Sequence, residues 1–384
     1  MQGIGLLFFH LAHNVEVADR LHPRYSTTHP EVPIATLELS GIEASKEGTP
    51  ILRGIDLTAD DGELIAVVGP SGSGKSTLLH VAAGLLKPTA GTVSIGGFDM
   101  TSKPASARNV GMVFQDNVVY PMRTVAGNVG FPLEIQHRPK HEIAKRVSAE
   151  GRAMHLEQLM DRDPSELSAG HQQLVQIARA LVRAPSLFLM DEPLARLDAH
   201  LRVEMRSELR MMQRGYGVTT LYVTNDPAEA MAVSDRLAVL ADGKLAQIGT
   251  PGDVYHHPVS RTVSQIVGDL STVKFRVRAD DSGYWLERPG HRIRAWAPAL
   301  DPYVNQDVEV GFRPEHLAPS SPGITCAVER VMHQGSQVIT VCRVDSDMLR
   351  VRSEEPFADP GDTVDVAATG GHVFAQNGQT IATW

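Results

Sequence analysis

The sequence predicts an α/β domain built on a mostly parallel sheet, followed by a smaller all-β domain of barrel type. The first prediction rests on short, continuous apolar runs at Leu64–Val68, 187–190 and 220–224, which alternate with longer stretches of helical period. Such runs are typical of parallel strands that are covered by helices on both faces of the sheet. The second rests on the last third of the chain, where helical period disappears and apolar and polar residues alternate.

Helical stretches of the first domain are predicted at 76–86, 172–183 and 198–213. In the last third, turns such as the one at 359–362 separate the alternating runs, which is typical of antiparallel strands of a barrel or sandwich. These runs lie at 308–312, 325–331, 337–344, 348–352 and 363–367.

Residues 1–33 show no sustained period and contain four histidines and three prolines. A flexible extension outside the fold is the favoured interpretation, and a metal-binding arm is the alternative. With the extension set apart, we place the first domain at 34–260 and the all-β domain at 270–384.

The chain has 384 residues, of which 42% are apolar and 21% charged, and its formal net charge is −9. This composition is typical of a water-soluble protein of two or three domains, since one domain usually takes about 100–200 residues. No stretch approaches the roughly 20 apolar residues that span a bilayer. The apolar start at 1–9 lacks the basic flank of a secretion signal.

The acidic balance argues against nucleic acid as a partner. Residues 271–384 carry 11 Lys/Arg against 15 Asp/Glu, so the predicted barrel also lacks a basic face. The only cysteines, Cys326 and Cys342, lie in runs that alternate like strands. They predict buried free thiols and a reducing compartment rather than a disulfide framework.

Residues 69–76 fit the phosphate-loop pattern G-x-x-x-x-G-K-[ST] completely and lie between a predicted strand and a predicted helix. Glycines let backbone N–H groups turn towards phosphate oxygens, Lys75 neutralises the β- and γ-phosphates, and the Ser76 hydroxyl binds Mg²⁺. Lys75 is one of only eight lysines in the chain. The predicted nucleotide-binding residues are Gly69, Pro70, Ser71, Gly72, Ser73, Gly74, Lys75, Ser76 and Thr77.

The apolar run at 187–190 ends in two acids, Asp191 and Glu192. A buried strand would deliver Asp191 to the Mg²⁺ shell, and Glu192 would polarise a water towards the γ-phosphate. We therefore predict that these acids form the second half of an ATP site.

A third segment resembles a known family. Leu167-Ser168-Ala169-Gly170-His171-Gln172-Gln173, together with Gln115 in Val113-Phe114-Gln115, resembles the signature and glutamine loops of ABC-transporter ATPases. The run 311–317, Gly-Phe-Arg-Pro-Glu-His-Leu, resembles the regulatory TOBE-type barrel of the maltose, glycerol-phosphate and related sugar-importer ATPases. The resemblance covers about residues 35–384 and implies a small helical subdomain at about 117–185.

The resemblance also implies how the site residues act. Two ATPase subunits, identical or paralogous, would stack head to tail, with Lys75, Ser76, Gln115, Asp191 and Glu192 acting within one chain. Gln115 would also bind Mg²⁺ and sense the two transmembrane permease subunits, which would dock beside residues 116–128. The residues implied to reach the facing subunit are the signature residues Ser168, Ala169, Gly170 and His171 and the inter-subunit loop residue Asp198.

The chain departs from the family pattern at several positions. Glycine is expected at Ala169, glutamine at His171, arginine at Leu174 and Ser-Asn at Ala195-Arg196. Lys46 stands where an aromatic would stack on adenine. The most consequential departure is Asn225, which occupies the place of the switch histidine. Because an amide cannot become cationic, we expect weaker stabilisation of γ-phosphate charge and slower hydrolysis, with a tolerated variant as the alternative.

The resulting hypothesis is an ATP-hydrolysing subunit at the cytoplasmic face of the membrane. It would energise import of a sugar or glycerol phosphate that an extracytoplasmic binding protein delivers. Alternatives are an importer for iron, polyamine or sulfate, a nucleotide-binding regulatory subunit, and a soluble ATPase acting on DNA, ribosomes or cluster assembly. The last of these is disfavoured by the single phosphate loop and the C-terminal barrel.

Overall fold

The computed structural model describes residues 35–116, 119–281, 283–289, 291–295 and 297–384. The chain divides into two compact units, of which the first ends at Ile248 and the second is Gly249–Trp384. The predicted extension at 1–33 lies outside the described residues. The predicted boundaries at 34, 260 and 270, and that of the helical subdomain, stay predictions.

The strands of the first unit form two sheets. A four-stranded sheet has the order β2-β1-β4-β5, and a six-stranded sheet has the order β10-β9-β3-β8-β7-β6. The strands are β1 (Leu37–Lys46), β2 (Thr49–Ala59), β3 (Leu64–Val68), β4 (Ala90–Ile95), β5 (Phe98–Asp99), β6 (Val110–Val113), β7 (Leu187–Asp191), β8 (Thr219–Val223), β9 (Arg236–Ala241) and β10 (Lys244–Gly249).

The described helices of the first unit connect these strands, and three of them lie consecutively between β6 and β7. They are α1 (Lys75–Ala83), α2 (Val125–Ile135), α3 (Lys140–Ala153), α4 (Ala169–Leu181), α5 (Ala199–Tyr216) and α6 (Pro227–Val233). Three short 3₁₀ turns occur at Ala105–Ala107, Glu157–Leu159 and Pro164–Glu166.

Strands β3, β7 and β8 form the centre of the six-stranded sheet, and every residue in them is buried. β8 pairs in parallel with β3 on one side and with β7 on the other. Their apolar side chains pack under the helices because both faces of a parallel sheet are covered. The carboxyl ends of the three strands therefore meet at one edge of the sheet, where open α/β sheets bind ligands.

The second unit contains the helices α7 (Pro251–His256) and α8 (Arg261–Val267) and two antiparallel sheets. The sheet orders are β13-β12-β11-β14-β19-β20 and β17-β16-β15-β18. The strands are β11 (Ser271–Asp280), β12 (Gly283–Arg288), β13 (His291–Ala295), β14 (Asp307–Phe312), β15 (Leu317–Gln334), β16 (Gln337–Val344), β17 (Asp347–Ser353), β18 (Thr363–Ala368), β19 (His372–Phe374) and β20 (Thr380–Thr383). Further 3₁₀ turns lie at Pro298–Tyr303 and Pro314–His316.

One apolar core joins the two sheets of the second unit. Both cysteines lie in this core as buried free thiols, as predicted. Arg313 is also fully buried, with its guanidinium carbon 3.8 Å from the ring centre of Tyr255 and with hydrogen bonds to the carbonyls of Asp269, Tyr255 and Ser264. The structure confirms the fold class, an α/β core with a helical segment followed by an all-β domain. None of the described helices combines the length and the apolar character needed to cross a membrane.

A buried carboxyl ties α3 to α5. Tyr216 Oη donates to Glu150 Oε2 at 2.6 Å, and Glu150 is 2% exposed. Burial raises the pKa of Glu150 to about 8, although the Tyr216 hydrogen bond and the charge of Arg146 oppose the shift. The folded state therefore holds a proton that the unfolded chain releases above about pH 4.5.

This pKa predicts how stability depends on pH. The free energy of unfolding should fall as pH rises from about 5 to about 8, and Glu150→Gln should remove Glu150's contribution to that fall. The difference between variant and wild type should grow by about 1.4 kcal/mol per pH unit across this window. Urea unfolding at several pH values measures it, with the exposed Glu157→Gln as control. If the difference in unfolding free energy between Glu150→Gln and wild type stays constant with pH, the raised pKa of Glu150 is contradicted.

Candidate functional site

The loop at 69–74 connects β3 to α1, and two of its glycines are required by geometry. A Cβ at Gly69 would lie 2.1 Å from the carbonyl oxygen of Leu240, and Gly74 has φ 106°, a left-handed conformation that favours glycine. Among the described residues, the amides of Gly72 and Gly74 donate to no acceptor. The loop therefore presents free N–H groups at the N-terminal end of α1, an arrangement suited to an anion.

Lys75 begins α1 and is buried. Its Nζ donates to the carbonyl oxygens of Gly69 at 2.8 Å and Pro70 at 3.0 Å, so the ammonium lies inside the loop. Burial lowers the pKa of Lys75, while Glu192 and Asp191 raise it. A phosphate between the loop and these acids would meet a desolvated cation, whose attraction is stronger than in water.

Ser76 and Asp191 lie side by side, with Ser76 Oγ donating to Asp191 Oδ1 at 3.1 Å. Asp191 is 6% exposed at the end of β7, and burial raises its pKa, against the effects of Ser76, His80 and Lys75. A nearby divalent cation would stabilise the charged form of such a buried carboxylate. Mg²⁺ retains several waters and takes only one or two protein ligands, so this hydroxyl–carboxylate pair fits it.

Glu192 follows with φ 46°, and its backbone N–H donates to the carbonyl of Val223 at 2.8 Å. A non-glycine residue in this conformation is strained, and such strain is typical of functional sites. Gln115 Nε2 donates to one carboxylate oxygen at 3.4 Å, and Asn225 Nδ2 donates to the other. Burial raises the pKa of Glu192, Lys75 lowers it, and Asp191 and Glu229 raise it.

A polar cluster next to Asn225, which the sequence did not predict, joins Tyr222, Glu229, Arg206 and Asp226. Tyr222 Oη donates to Glu229 Oε1 at 2.7 Å, and Arg206 of α5 forms an ion pair with Asp226 at 2.6 Å. Asp226 also caps α6 through the amides of Ala228 and Glu229. Asn225 therefore lies in the chain between Tyr222 and Asp226, and contacts with other side chains hold both of these residues in place. The available sequence signal was the helix-start pattern Asp226-Pro227.

The signature segment starts α4, which lies between β6 and β7 in the chain. Ser168 is the N-cap residue, and its Oγ lies 2.9 Å from His171 Nδ1. A Cβ at Gly170 would lie 2.6 Å from Leu201 Cδ2, so α4 approaches α5 closely there. Ala169 and His171 are exposed. A pocket of about 470 Å³ lies beside this start, lined by residues of α3, α4 and α5.

The predicted inter-subunit loop has two structural roles that the sequence did not reveal. Asp198 caps α5 by accepting from the amide of Leu201 at 2.9 Å. Arg196 forms an ion pair with Asp116, which directly follows Gln115. The ion pair therefore connects the loop after β7 to the glutamine loop. Lys46, at the predicted adenine position, is exposed at the end of β1.

Apolar side chains on both sides of Gln115 in the sequence are exposed and form an apolar surface. Tyr120, Met122 and Phe114 are 37%, 94% and 42% exposed, respectively. Buried Asn128 shapes the loop, because its side chain accepts from the amide of Tyr120 at 2.7 Å and donates to the carbonyls of Tyr120, Arg123 and Thr124. Asn117 and Val118 lie outside the described residues. Exposed apolar surface of this kind marks contact sites for other proteins.

An α/β core with a phosphate loop, and with two acids at the end of another strand of the same sheet, defines a phosphate-loop ATPase. Residues 52–195 match the family model described as ABC transporter, and residues 310–375 match the one described as TOBE domain. These matches cover the phosphate loop, the signature and most of the C-terminal sheets.

Curated relatives extend the match over most of the chain. This chain is 40% identical over 306 residues to an sn-glycerol-3-phosphate import ATP-binding protein of Cereibacter sphaeroides, and the match covers 79% of this chain and 86% of that protein. It is 41% identical over 293 residues to a maltose/maltodextrin import ATP-binding protein of Yersinia pestis, covering 75% and 79%. It is 37% identical over 354 residues to a spermidine/putrescine import ATP-binding protein of Nitratidesulfovibrio vulgaris, covering 86% and 94%. The chain belongs to the ABC transporter family and is an ATPase of the importer type.

The position of Lys75 predicts its effect on nucleotide binding. Lys75→Ala should weaken the binding of a fluorescent ATP analogue by about 10- to 100-fold, since a hydrogen bond to a charged group contributes about 1.5–3 kcal/mol. Lys87→Ala is the matched control, because this lysine is exposed just beyond the same helix. Equal affinity of both variants would show that Lys75 does not contact the phosphates.

Proposed function

We propose that this chain binds Mg-ATP and couples its hydrolysis to the import of a sugar or glycerol phosphate. The observation that carries the proposal is the convergence of Lys75, Ser76, Asp191 and Glu192 at one edge of the parallel sheet. The sugar and glycerol-phosphate relatives support the solute class.

In the proposed reaction each side chain has one task. The loop amides and Lys75 bind the β- and γ-phosphates, while Ser76, Asp191 and Gln115 would hold the cation. Mg²⁺ supplies charge neutralisation of the phosphate oxygens when it is bound. Glu192 orients a water towards the γ-phosphate and accepts its proton, and its raised pKa brings it closer to a base poised at neutral pH.

The proposal includes partners that complete the site. A second ATPase subunit, identical or paralogous, would bring Ser168, Ala169, Gly170, His171 and Asp198 to the nucleotide of this subunit. The exposure of Ser168, Ala169 and His171 at the start of α4 supports that arrangement. Two transmembrane permease subunits would dock on the exposed apolar surface around Tyr120 and Met122, at the cytoplasmic face of the membrane. An extracytoplasmic binding protein would deliver the solute, and nucleic acid would take no part.

Slower hydrolysis belongs to the proposal because of Asn225. Its amide donates to Glu192 from the place where the family has a histidine, and the amide stays neutral at every pH. It offers the γ-phosphate a shorter, uncharged donor. In the limiting case, the chain would be a regulatory subunit that binds nucleotide and has little ATPase activity.

A second candidate solute is a polyamine, which the spermidine/putrescine relative favours. Co-purification with the permease subunits, followed by ATPase assays with each binding protein and solute, separates the two classes. Stimulation by a sugar or glycerol phosphate supports the first candidate, and stimulation by spermidine alone would replace it.

Glu192 provides a test of the hydrolytic role. Glu192→Gln should retain ATP binding and lower the turnover of the assembled complex by about 10²–10⁴-fold, the usual contribution of a general base. Phosphate release measures turnover, and Glu47→Gln, an exposed turn residue, is the control. Undiminished turnover in Glu192→Gln would remove Glu192 from the mechanism.

Asn225 provides the test of slower hydrolysis. Asn225→His should raise turnover by about 10-fold or more, because one transition-state donor is worth about 10²–10³ in rate. Asn225→Gln is the matched control, since it lengthens the amide without adding charge. If the histidine variant turns over no faster than wild type, hydrolysis is not limited at this position.

A further inference from the structure

His171 lies in contact with the only hydroxyl of the four-residue signature segment 168–171. Its Nδ1 is 2.9 Å from Ser168 Oγ, and both side chains are exposed at the start of α4. The same Oγ accepts from the backbone amide of His171 at 3.4 Å, as an N-cap does. The histidine thus reaches the side chain that is implied to contact the nucleotide of the facing subunit.

Counting donors and acceptors shows what the contact can control. A serine hydroxyl has one proton to donate and two lone pairs to accept with. The amide of His171 occupies one lone pair. When Nδ1 carries no proton, the hydroxyl can donate its only proton to the ring. When the ring is cationic, Nδ1–H donates to the second lone pair, and the hydroxyl proton is left for another acceptor.

We propose that His171 is a positioning residue whose protonation turns the Ser168 hydroxyl towards the γ-phosphate of the facing subunit. This inference rests on the proposed head-to-tail ATPase pair. The cationic ring also brings a positive charge near that phosphate. ATP-driven pairing of the subunits should therefore strengthen as pH falls through the range where histidines titrate.

Titratable groups of two neighbouring elements line the pocket beside His171. Glu204 and Glu208 of α5 line the same pocket, as does His155 just after α3. Glu204 lies 3.6 Å from His200 on the same helix. Leu174 lines the pocket on α4 itself and adds no charge.

The test must exclude the titration of Glu192. Full-length Glu192→Gln removes that carboxyl and holds ATP without hydrolysis, so ATP-dependent dimerisation can be followed by analytical ultracentrifugation. Between about pH 6 and about pH 8, the ATP concentration for half-dimerisation should rise about fivefold, the effect of one modest hydrogen bond.

Two double variants show which histidine ring causes the pH dependence of dimerisation. Glu192→Gln/His171→Gln should lose the pH dependence, because the glutamine amide stays neutral and can donate to Ser168 at every pH. Glu192→Gln/His155→Gln removes a histidine from the same pocket and should keep the pH dependence.

The outcomes separate this inference from the proposed function. Loss of the pH dependence in the His171 variant alone supports the positioning role. Equal pH dependence in all three proteins overturns it and leaves the proposed ATPase pair intact. Absence of ATP-dependent dimers at either pH overturns both the pair and the role of His171.

Discussion

The structure depends on the parallel pairing of β3, β8 and β7. Every residue of these strands is buried and most are apolar, and the site residues lie at or just after the end of each strand. Parallel pairing brings the three ends to one edge, so the phosphate loop, Asp191-Glu192 and Asn225 become neighbours although they are far apart in sequence. The burial that stabilises the sheet also desolvates the site, which raises the pKa of both acids and lowers that of Lys75.

Glu192 is the point at which the separate loops of the site meet. Its carboxylate receives one amide from the glutamine loop and one from the end of β8. Asp116, next to Gln115, is in turn ion-paired with Arg196 of the loop that follows Glu192. The ion pair itself is exposed and contributes little to stability. Its location is more informative, because it joins the segment proposed to contact the permease to the loop proposed to face the second subunit.

The signature segment is built by different contacts from those of the phosphate loop. Ser168 caps α4, Gly170 permits its close approach to α5, and Asp198 caps α5 nearby. These contacts fix the start of α4 against α5.

The sequence by itself determined the fold class, the phosphate loop and the acids after β7, because strand-sized apolar runs and a contiguous motif are local signals. It also located Gln115, the signature and Asn225 through their resemblance to a family. Only the tertiary structure decided which groups touch Glu192, that Asn128 shapes the exposed loop, and that Arg196 pairs with Asp116. It also revealed Arg313 and Glu150 as buried ionisable side chains, which sequence pattern would place at the surface. These contacts join residues that are distant along the chain, and no local spacing encodes them.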